Sequence, residues 1–207
     1  MLARPITLRS RGSNPAPATL MKMTKRVFLV HGWGGSPEAN WFPWLKKELE
    51  SKGFEVRSLK MPNTDNPTIP EWVSFLKKEA GKPNKDTFFV GCSIGCQTIM
   101  RYLQDISGEV GGVLFVAGWF TLKGLETEEE KQIAKPWFAS PINLAAVKKV
   151  APKITAIFST DDPFVPLSDT KKFERELNAK IIIEKDKGHF DEERYDIILK
   201  EFLNLTK

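Results

Sequence analysis

Short apolar segments alternate with amphipathic segments along most of this chain. Residues 27–30 form an apolar run without polar alternation, which is typical of a strand covered on both faces. The next segment places Trp41, Leu45 and Leu49 on one helical face, as in an amphipathic helix that packs on a core. Strands and helices that follow one another in this way predict a parallel sheet with helices on both faces.

The same pattern continues to the C-terminus. It predicts further strands at residues 54–59, 87–90, 113–117, 154–158 and 180–184, and helices at residues 40–52, after Thr68, after Ser93, at residues 168–177 and at the C-terminal end. Residues 68–71 have the sequence of a capping box, which favours a helix start at that point. Residues 118–153 are irregular, with aromatic residues between polar stretches, and we expect a small cap there. In a sheet of this kind the active site lies at the carboxyl ends of the strands, so polar residues that directly follow strands are the candidates.

The domain organisation follows from length and local composition. A chain of 207 residues is long enough for one well-buried domain, which we place at residues 24–207. Residues 1–23 contain Arg, Ser and Pro but no apolar stretch of the length that a signal peptide needs. We expect a disordered leader or an over-long start there, since Met21 and Met23 stand directly before the first strand. An organellar transit peptide is the alternative.

Charge and hydropathy each argue against one class of partner. The formal net charge is +5, but a leader without acidic residues supplies most of it through Arg4, Arg9, Arg11 and Lys22. The rest of the chain is close to balanced and has no long block of basic residues, so we expect no nucleic-acid partner. No apolar run is long enough to span a bilayer, so we expect no membrane partner either.

The cysteines and histidines are too few and too widely placed for a metal site. Cys92 and Cys96 lie four residues apart around a predicted strand-to-helix turn, which disfavours a disulfide between them. Reduced thiols indicate a cytoplasmic location. The chain has no C-x-x-C or H-x-x-x-H spacing, so we expect no metal and no cofactor.

One turn stands out chemically. Residues 88–96 run from a strand pattern through G-x-S-x-G at 91–95 into a helical pattern. This is the sequence of a nucleophile elbow, in which glycines avoid clashes at a sharp turn that exposes the serine hydroxyl. The helix that follows directs its N-terminus at the same place, which favours negative charge developing there. Ser93 is therefore the candidate nucleophile.

A serine nucleophile needs a base and a group that orients the base. The two histidines of the chain are His31 and His189, and His189 follows the sixth predicted strand. Asp161 and Asp162 follow the fifth strand, and either could be the acid. The chain order of nucleophile, acid and base is that of α/β-hydrolases. His31 precedes the nucleophile, and we expect it to brace the loop after the first strand.

Several motifs together resemble one family. They are His31-Gly-Trp-Gly-Gly, Met61-Pro62, the G-x-S-x-G turn, Met100-Arg101-Tyr102, the residues 161–166 with the sequence Asp-Asp-Pro-Phe-Val-Pro, and Gly188-His189-Phe190. The chain is similar in these to the small serine hydrolases related to retinoblastoma-binding protein nine and the bacterial YdeN-type proteins. The resemblance covers nearly everything from residue 25 onward. It implies a compact α/β-hydrolase fold with about six parallel strands, helices on both faces and a short cap.

The resemblance also assigns roles. The family's acid stands four residues before the Pro of D-x-x-V-P, which is Asp162, with Ser93 and His189 as nucleophile and base. The implied mechanism is acyl transfer, with an oxyanion held by the backbone N–H groups of Ile94 and of Trp33 or Gly34. Trp119 and Trp137, in the expected cap, are candidates for lining the substrate pocket.

Two departures from the family limit what is carried over. Cys92 stands where many relatives have a histidine, and we expect this to alter packing more than chemistry. The L-x-C-x-E signature is absent, so a retinoblastoma-type partner is not supported.

The resulting hypothesis is a serine hydrolase, most simply a carboxylesterase, that cleaves a small-molecule acyl substrate without a cofactor. An amidase resembling aminopeptidases or a thioesterase would use the same residues. The alternative from another class is a catalytically weak member that binds a protein partner.

Overall fold

The computed structural model describes residues 24–207. The predicted leader at residues 1–23 lies outside the described residues. The strands are β1 (Arg26–Val30), β2 (Glu55–Leu59), β3 (Thr87–Cys92), β4 (Gly112–Val116), β5 (Ile154–Ser159) and β6 (Lys180–Glu184). The helices are α1 (Phe42–Ser51), α2 (Ile69–Ala80), α3 (Ile94–Leu103), α4 (Glu128–Ala139), α5 (Leu144–Val150), α6 (Thr170–Leu177) and α7 (Asp196–Leu205).

The six strands form one sheet in the order β2-β1-β3-β4-β5-β6, and every neighbouring pair is parallel. β3, β4 and β5 are buried along their whole length. This burial follows from their composition, because continuous apolar strands gain most when both faces are covered. The predicted parallel sheet is confirmed.

Helices cover both faces of the sheet. α1 and α7 contact each other on one face, whereas α2, α3, α5 and α6 form a contacting row on the other. α3 is buried on all sides, from Ile94 to Leu103, because it lies in the middle of that row. The elbow is therefore part of the most enclosed element of the molecule.

The region predicted as an irregular cap, residues 118–153, contains two helices. α4 begins with a complete capping box, in which Thr127 accepts from the Glu130 amide and Glu130 accepts from the Thr127 amide. α5 contacts α3 and α6 and belongs to the row on the sheet. The cap therefore has two parts, the segment that follows β4 and the helix α4. Neither part belongs to the row of helices on the sheet. The prediction failed here because α5 is short and α4 carries an internal proline, Pro136, which weakens the helical pattern.

Both cysteines are free thiols and both are buried. None of the helices in residues 24–207 combines the length and the apolar character that a membrane span requires.

Candidate active site

Ser93 lies in a strained conformation between β3 and α3. Its φ of 51° and ψ of −119° belong to a region that residues with a side chain rarely adopt. A Cβ at Gly95 would collide with the carbonyl oxygens of Val30 and His31, and one at Gly91 would come within 2.9 Å of the Cys96 nitrogen. The glycines on either side of the serine are thus required by close backbone approach, as the motif predicted. The elbow therefore packs directly against the C-terminal end of β1.

Asp162 and His189 are joined at the carboxyl end of the sheet. His189 Nδ1 lies 2.8 Å from Asp162 Oδ2. The other carboxylate oxygen accepts from the amides of Phe164 and Val165 at 2.8 and 2.9 Å. These bonds fix a buried carboxylate in one orientation. An imidazole that donates from Nδ1 to a carboxylate keeps Nε2 as its acceptor.

Asp161 has different partners, although it adjoins Asp162 in sequence. It accepts from the Ser159 hydroxyl at 2.6 Å and from the Gly188 amide at 2.8 Å. These hydrogen bonds lower the pKa of the Asp161 carboxyl. Asp161 therefore anchors the loop that carries His189, while Asp162 contacts the imidazole itself.

His31 is a buried histidine with both ring nitrogens engaged. Nδ1 lies 2.8 Å from the Gly32 carbonyl oxygen, and Nε2 accepts from the Met61 amide at 3.2 Å. Its ring packs edge-on against Trp72. Burial lowers the pKa of His31, which favours the neutral ring that this pair of bonds requires. The ring joins the loop after β1 to the segment after β2.

Two backbone segments adjoin Ser93, the start of α3 and the loop after β1. Ile94 is the first residue of α3, where a helix has amides without intrahelical partners. Gly32 approaches Ser93 so closely that a Cβ on it would lie 3.4 Å from the serine Cβ. The Gly34 amide already donates to the Thr64 carbonyl at 2.9 Å. Of the two amides considered from the sequence, the Trp33 amide is therefore the better candidate for an oxyanion donor.

Ser93 and His189 line one cavity of about 340 Å³, called the Ser93 cavity below. Its large apolar side chains are Trp33, Phe42, Leu122, Leu125 and Phe164, and its carboxylates are Glu130 and Asp191. The Phe164 ring packs edge-on against the His189 imidazole, with ring centres 5.2 Å apart. A mostly apolar cavity that contains a hydroxyl and an imidazole suits a small organic molecule.

The prediction that Trp119 and Trp137 line this pocket is wrong. They are 1% and 2% exposed, and neither borders the Ser93 cavity. Trp137 donates from its indole nitrogen to the Pro67 carbonyl at 3.1 Å and packs edge-on against Trp72. Trp119 packs against Phe138. Both side chains fix α4 to the body of the protein, because burial of a large aromatic side chain contributes strongly to stability.

The apolar wall of the cavity includes residues that the sequence analysis did not single out. Leu122 and Leu125 stand in the segment after β4, and Phe164 stands between the acid and the Pro of D-x-x-V-P. A usable signal existed, because each follows a strand at its carboxyl end, where the ligand is expected.

Within residues 24–207, no cluster of three or more His, Cys, Asp or Glu residues is placed to hold a metal ion.

Comparison with known proteins decides the family. A family model described as serine hydrolase matches residues 27–195. The chain belongs to the serine hydrolase family. The match extends from β1 through the loop that carries His189, so it includes the elbow, the Asp162 turn and His189 itself.

Individual relatives agree with this assignment. The chain is 29% identical to the putative hydrolase YdeN of Bacillus subtilis (strain 168), over 89% of this chain and 100% of the relative. It is 28% identical to the serine hydrolase RBBP9 of Rattus norvegicus, over 87% of this chain and 95% of the relative. These values confirm the resemblance that the sequence motifs indicated.

Solved structures confirm the fold. The crystal structure of the ydeN gene product from B. subtilis superposes with a TM-score of 0.80 at 26% identity, covering 88% of this chain and 98% of the other. A carboxylesterase structure from the thaumarchaeon Nitrososphaera gargenis gives a TM-score of 0.66 at 16% identity, with 89% and 92% covered. The architecture is that of an α/β-hydrolase.

Proposed function

We propose that this protein hydrolyses small carboxylic esters through a triad of Ser93, His189 and Asp162. The observation that carries the proposal is the 2.8 Å Asp162–His189 contact beside the cavity that contains Ser93 on its strained elbow. A protein that used this fold only for binding would gain nothing from a strained serine, an oriented histidine and a buried carboxylate in one place.

The first half of the reaction forms an acyl-enzyme. His189 Nε2 accepts the Ser93 proton while Ser93 Oγ forms a bond to the carbonyl carbon of the ester. Asp162 holds the imidazole in the required tautomer and stabilises the imidazolium that results. The tetrahedral intermediate then expels the alcohol, which takes its proton from His189.

The amides of Ile94 and Trp33 are the proposed oxyanion donors. The negative charge develops on the former carbonyl oxygen, next to the N-terminus of α3, where the helix dipole also favours it. A donor of this kind is typically worth about a hundredfold to a thousandfold in rate. The neutral His31 contributes indirectly, because it fixes the loop that presents the Trp33 amide.

The second half of the reaction releases the acid. A water molecule loses a proton to His189 Nε2 and attacks the acyl carbon, and the proton then returns to Ser93 Oγ as the acyl bond breaks. Ester, thioester and amide substrates would all pass through this acyl-enzyme. We choose an ester because a neighbour of similar fold is a carboxylesterase. We expect a small substrate, since the cavity volume of about 340 Å³ is near the lower end for ligand pockets.

Activity-based labelling tests the proposal. A fluorophosphonate probe is expected to label the purified wild-type protein, because an activated serine attacks the phosphorus as it would a carbonyl. Ser93→Ala and His189→Ala should both lose labelling while remaining folded by circular dichroism. Ester hydrolysis by both variants should fall on the order of 10⁴-fold or more.

Ser107→Ala is the matched control, since Ser107 is exposed and lies in the loop after α3. It should label like wild type. If the folded wild-type protein takes up no probe and hydrolyses no short ester, the proposal is wrong, and the search would turn to a protein partner. The free state of both cysteines is consistent with the cytoplasmic location that we propose for the reaction.

A further inference from the structure

One wall of the Ser93 cavity is formed by the segment that follows β4. Residues 120–125, called the strap below, contribute Leu122 and Leu125 to the cavity lining. Phe164 lies in the same lining and packs against His189. A substrate group that extends from Ser93 along this wall would lie against these side chains.

A buried carboxylate holds the start of the strap. Asp169 is 5% exposed and lies in a 3-10 turn, Leu167–Asp169, directly before α6. Its Oδ2 accepts from the amides of Phe120 and Thr121 at 2.6 and 2.7 Å, and its Oδ1 accepts from the Thr121 hydroxyl at 2.8 Å. Hydrogen bonds to a charged acceptor are the stronger kind, and a buried carboxylate is costly without them.

The strap is also held further along. The Lys123 amide donates to the Phe164 carbonyl at 2.9 Å. Gly124 has a φ of 71°, and a Cβ there would lie 2.9 Å from the Pro163 carbonyl oxygen. The strap therefore packs on the turn that carries Asp162, and Asp169 fixes the end of the strap nearest to β4.

We propose that Asp169 is a positioning residue that fixes the strap and thereby sets the acyl-chain preference of the enzyme. This inference rests on the proposed function, because it concerns substrates of the Ser93 site. Asp169 lines no part of the cavity, so its effect passes through Leu122 and Leu125. Asp162 keeps its own amide donors, Phe164 and Val165, when Asp169 is lost.

Loss of Asp169 should therefore weaken binding of longer acyl chains without disabling the chemistry. If a contact with the cavity wall stabilises the bound substrate and the transition state equally, its loss raises KM and leaves kcat unchanged. The contact of one methylene group with an apolar pocket changes kcat/KM by about tenfold or more. A short acyl group, which does not reach the strap, should be insensitive.

The test compares p-nitrophenyl acetate with p-nitrophenyl hexanoate. In Asp169→Ala, the ratio of kcat/KM for hexanoate to that for acetate should fall about tenfold, mainly through KM. Fluorophosphonate labelling and acetate turnover should stay within about threefold of wild type. Asp169→Asn should largely restore the ratio, since the amide oxygen can accept from both backbone amides and its nitrogen can donate to the Thr121 hydroxyl.

Two further variants separate positioning from general destabilisation. Leu122→Ala should lower the ratio in the same direction, and it serves if Asp169→Ala does not fold. Glu201→Ala is the matched control, because Glu201 is an equally buried carboxylate that pairs with Lys180 on the far side of the sheet. It should lower stability and leave the ratio unchanged. Hydrogen exchange at the Phe120 and Thr121 amides should speed up in Asp169→Ala.

The outcomes are distinguishable. A wild-type protein that labels, combined with an unchanged ratio in Asp169→Ala and Leu122→Ala, overturns the role of Asp169 and leaves the proposed function intact. An equal loss on both esters also overturns it, because the residue would then act on catalysis or folding. A wild-type protein that neither labels nor hydrolyses either ester overturns both proposals.

Discussion

Asp161 and Asp162 are adjacent carboxylates with separate sets of hydrogen bonds. Asp162 contacts the His189 imidazole, whereas Asp161 contacts Ser159 and Gly188. The residue types alone left both open as the acid, because strand ends place both at the same edge of the sheet. The family motif selected Asp162, which is the carboxylate that contacts the His189 imidazole in the structure.

Substitution of the two carboxylates should separate their roles. Asp162→Asn is expected to lower kcat by about 10³- to 10⁴-fold, because the amide no longer selects the required imidazole tautomer. Asp161→Asn should cost about tenfold at most, since the Gly188 amide retains an acceptor. Steady-state kinetics on one short ester measure both. Equal losses would mean that the assignment of the acid is wrong.

Burial of His31 makes the stability of the protein depend on pH. Its pKa is lowered by burial in the folded state, while the pKa of a histidine in an unfolded chain is about 6.5. Below that value the unfolded chain binds the proton more readily, so this group's contribution to stability is present above about pH 6.5 and is lost as the pH falls.

The corresponding variant is His31→Gln, which cannot titrate but can still donate and accept a hydrogen bond. Urea denaturation at pH 7.5 and pH 5.5 should show a smaller loss of unfolding free energy in the variant than in wild type. The same pH dependence in both proteins would exclude His31 as its source. The two proteins share every other residue, so contributions from the rest of the chain cancel in the comparison.

Helix α4 has a local start signal within a region whose pattern otherwise looks irregular. The Thr127–Glu130 capping box fixes its first turn, and buried Trp137 fixes its other end. The pattern of residues 118–153 could not reveal which aromatic side chains face the body, because periodicity there is interrupted by Pro136. Long-range contacts such as the Trp137–Pro67 hydrogen bond determine the outcome.

Thr127→Ala should remove the cap of α4. The expected loss in unfolding free energy is about 1 kcal/mol, or roughly 2–4 °C in midpoint temperature for a chain of this size. Glu129→Ala, one residue before the capping Glu130, should change stability by no more than about 0.5 kcal/mol. Thermal denaturation of both variants gives the comparison. Equal effects would show that the capping bonds contribute nothing measurable.

The sequence predicted the parallel sheet and named Ser93, Asp162 and His189, which lie at one edge of it, but it did not predict the apolar residues of the pocket. Strand composition and the Ser93 turn are local signals, and parallel connections bring all strand ends to one edge. The residues of the cavity wall come from the loop after β1, α1, the strap, α4 and the Asp162 turn. Their meeting depends on packing between segments distant in sequence, which no single segment encodes.

The proposed mechanism requires a covalent acyl-enzyme at Ser93. The most direct measurement is mass spectrometry of enzyme quenched in acid during turnover of p-nitrophenyl acetate, followed by peptide mapping. We predict an acetyl group on the peptide that contains Ser93, and none on that peptide in Ser93→Ala. If turnover proceeds without an adduct and Ser93→Ala hydrolyses the ester at the wild-type rate, the proposed mechanism is wrong.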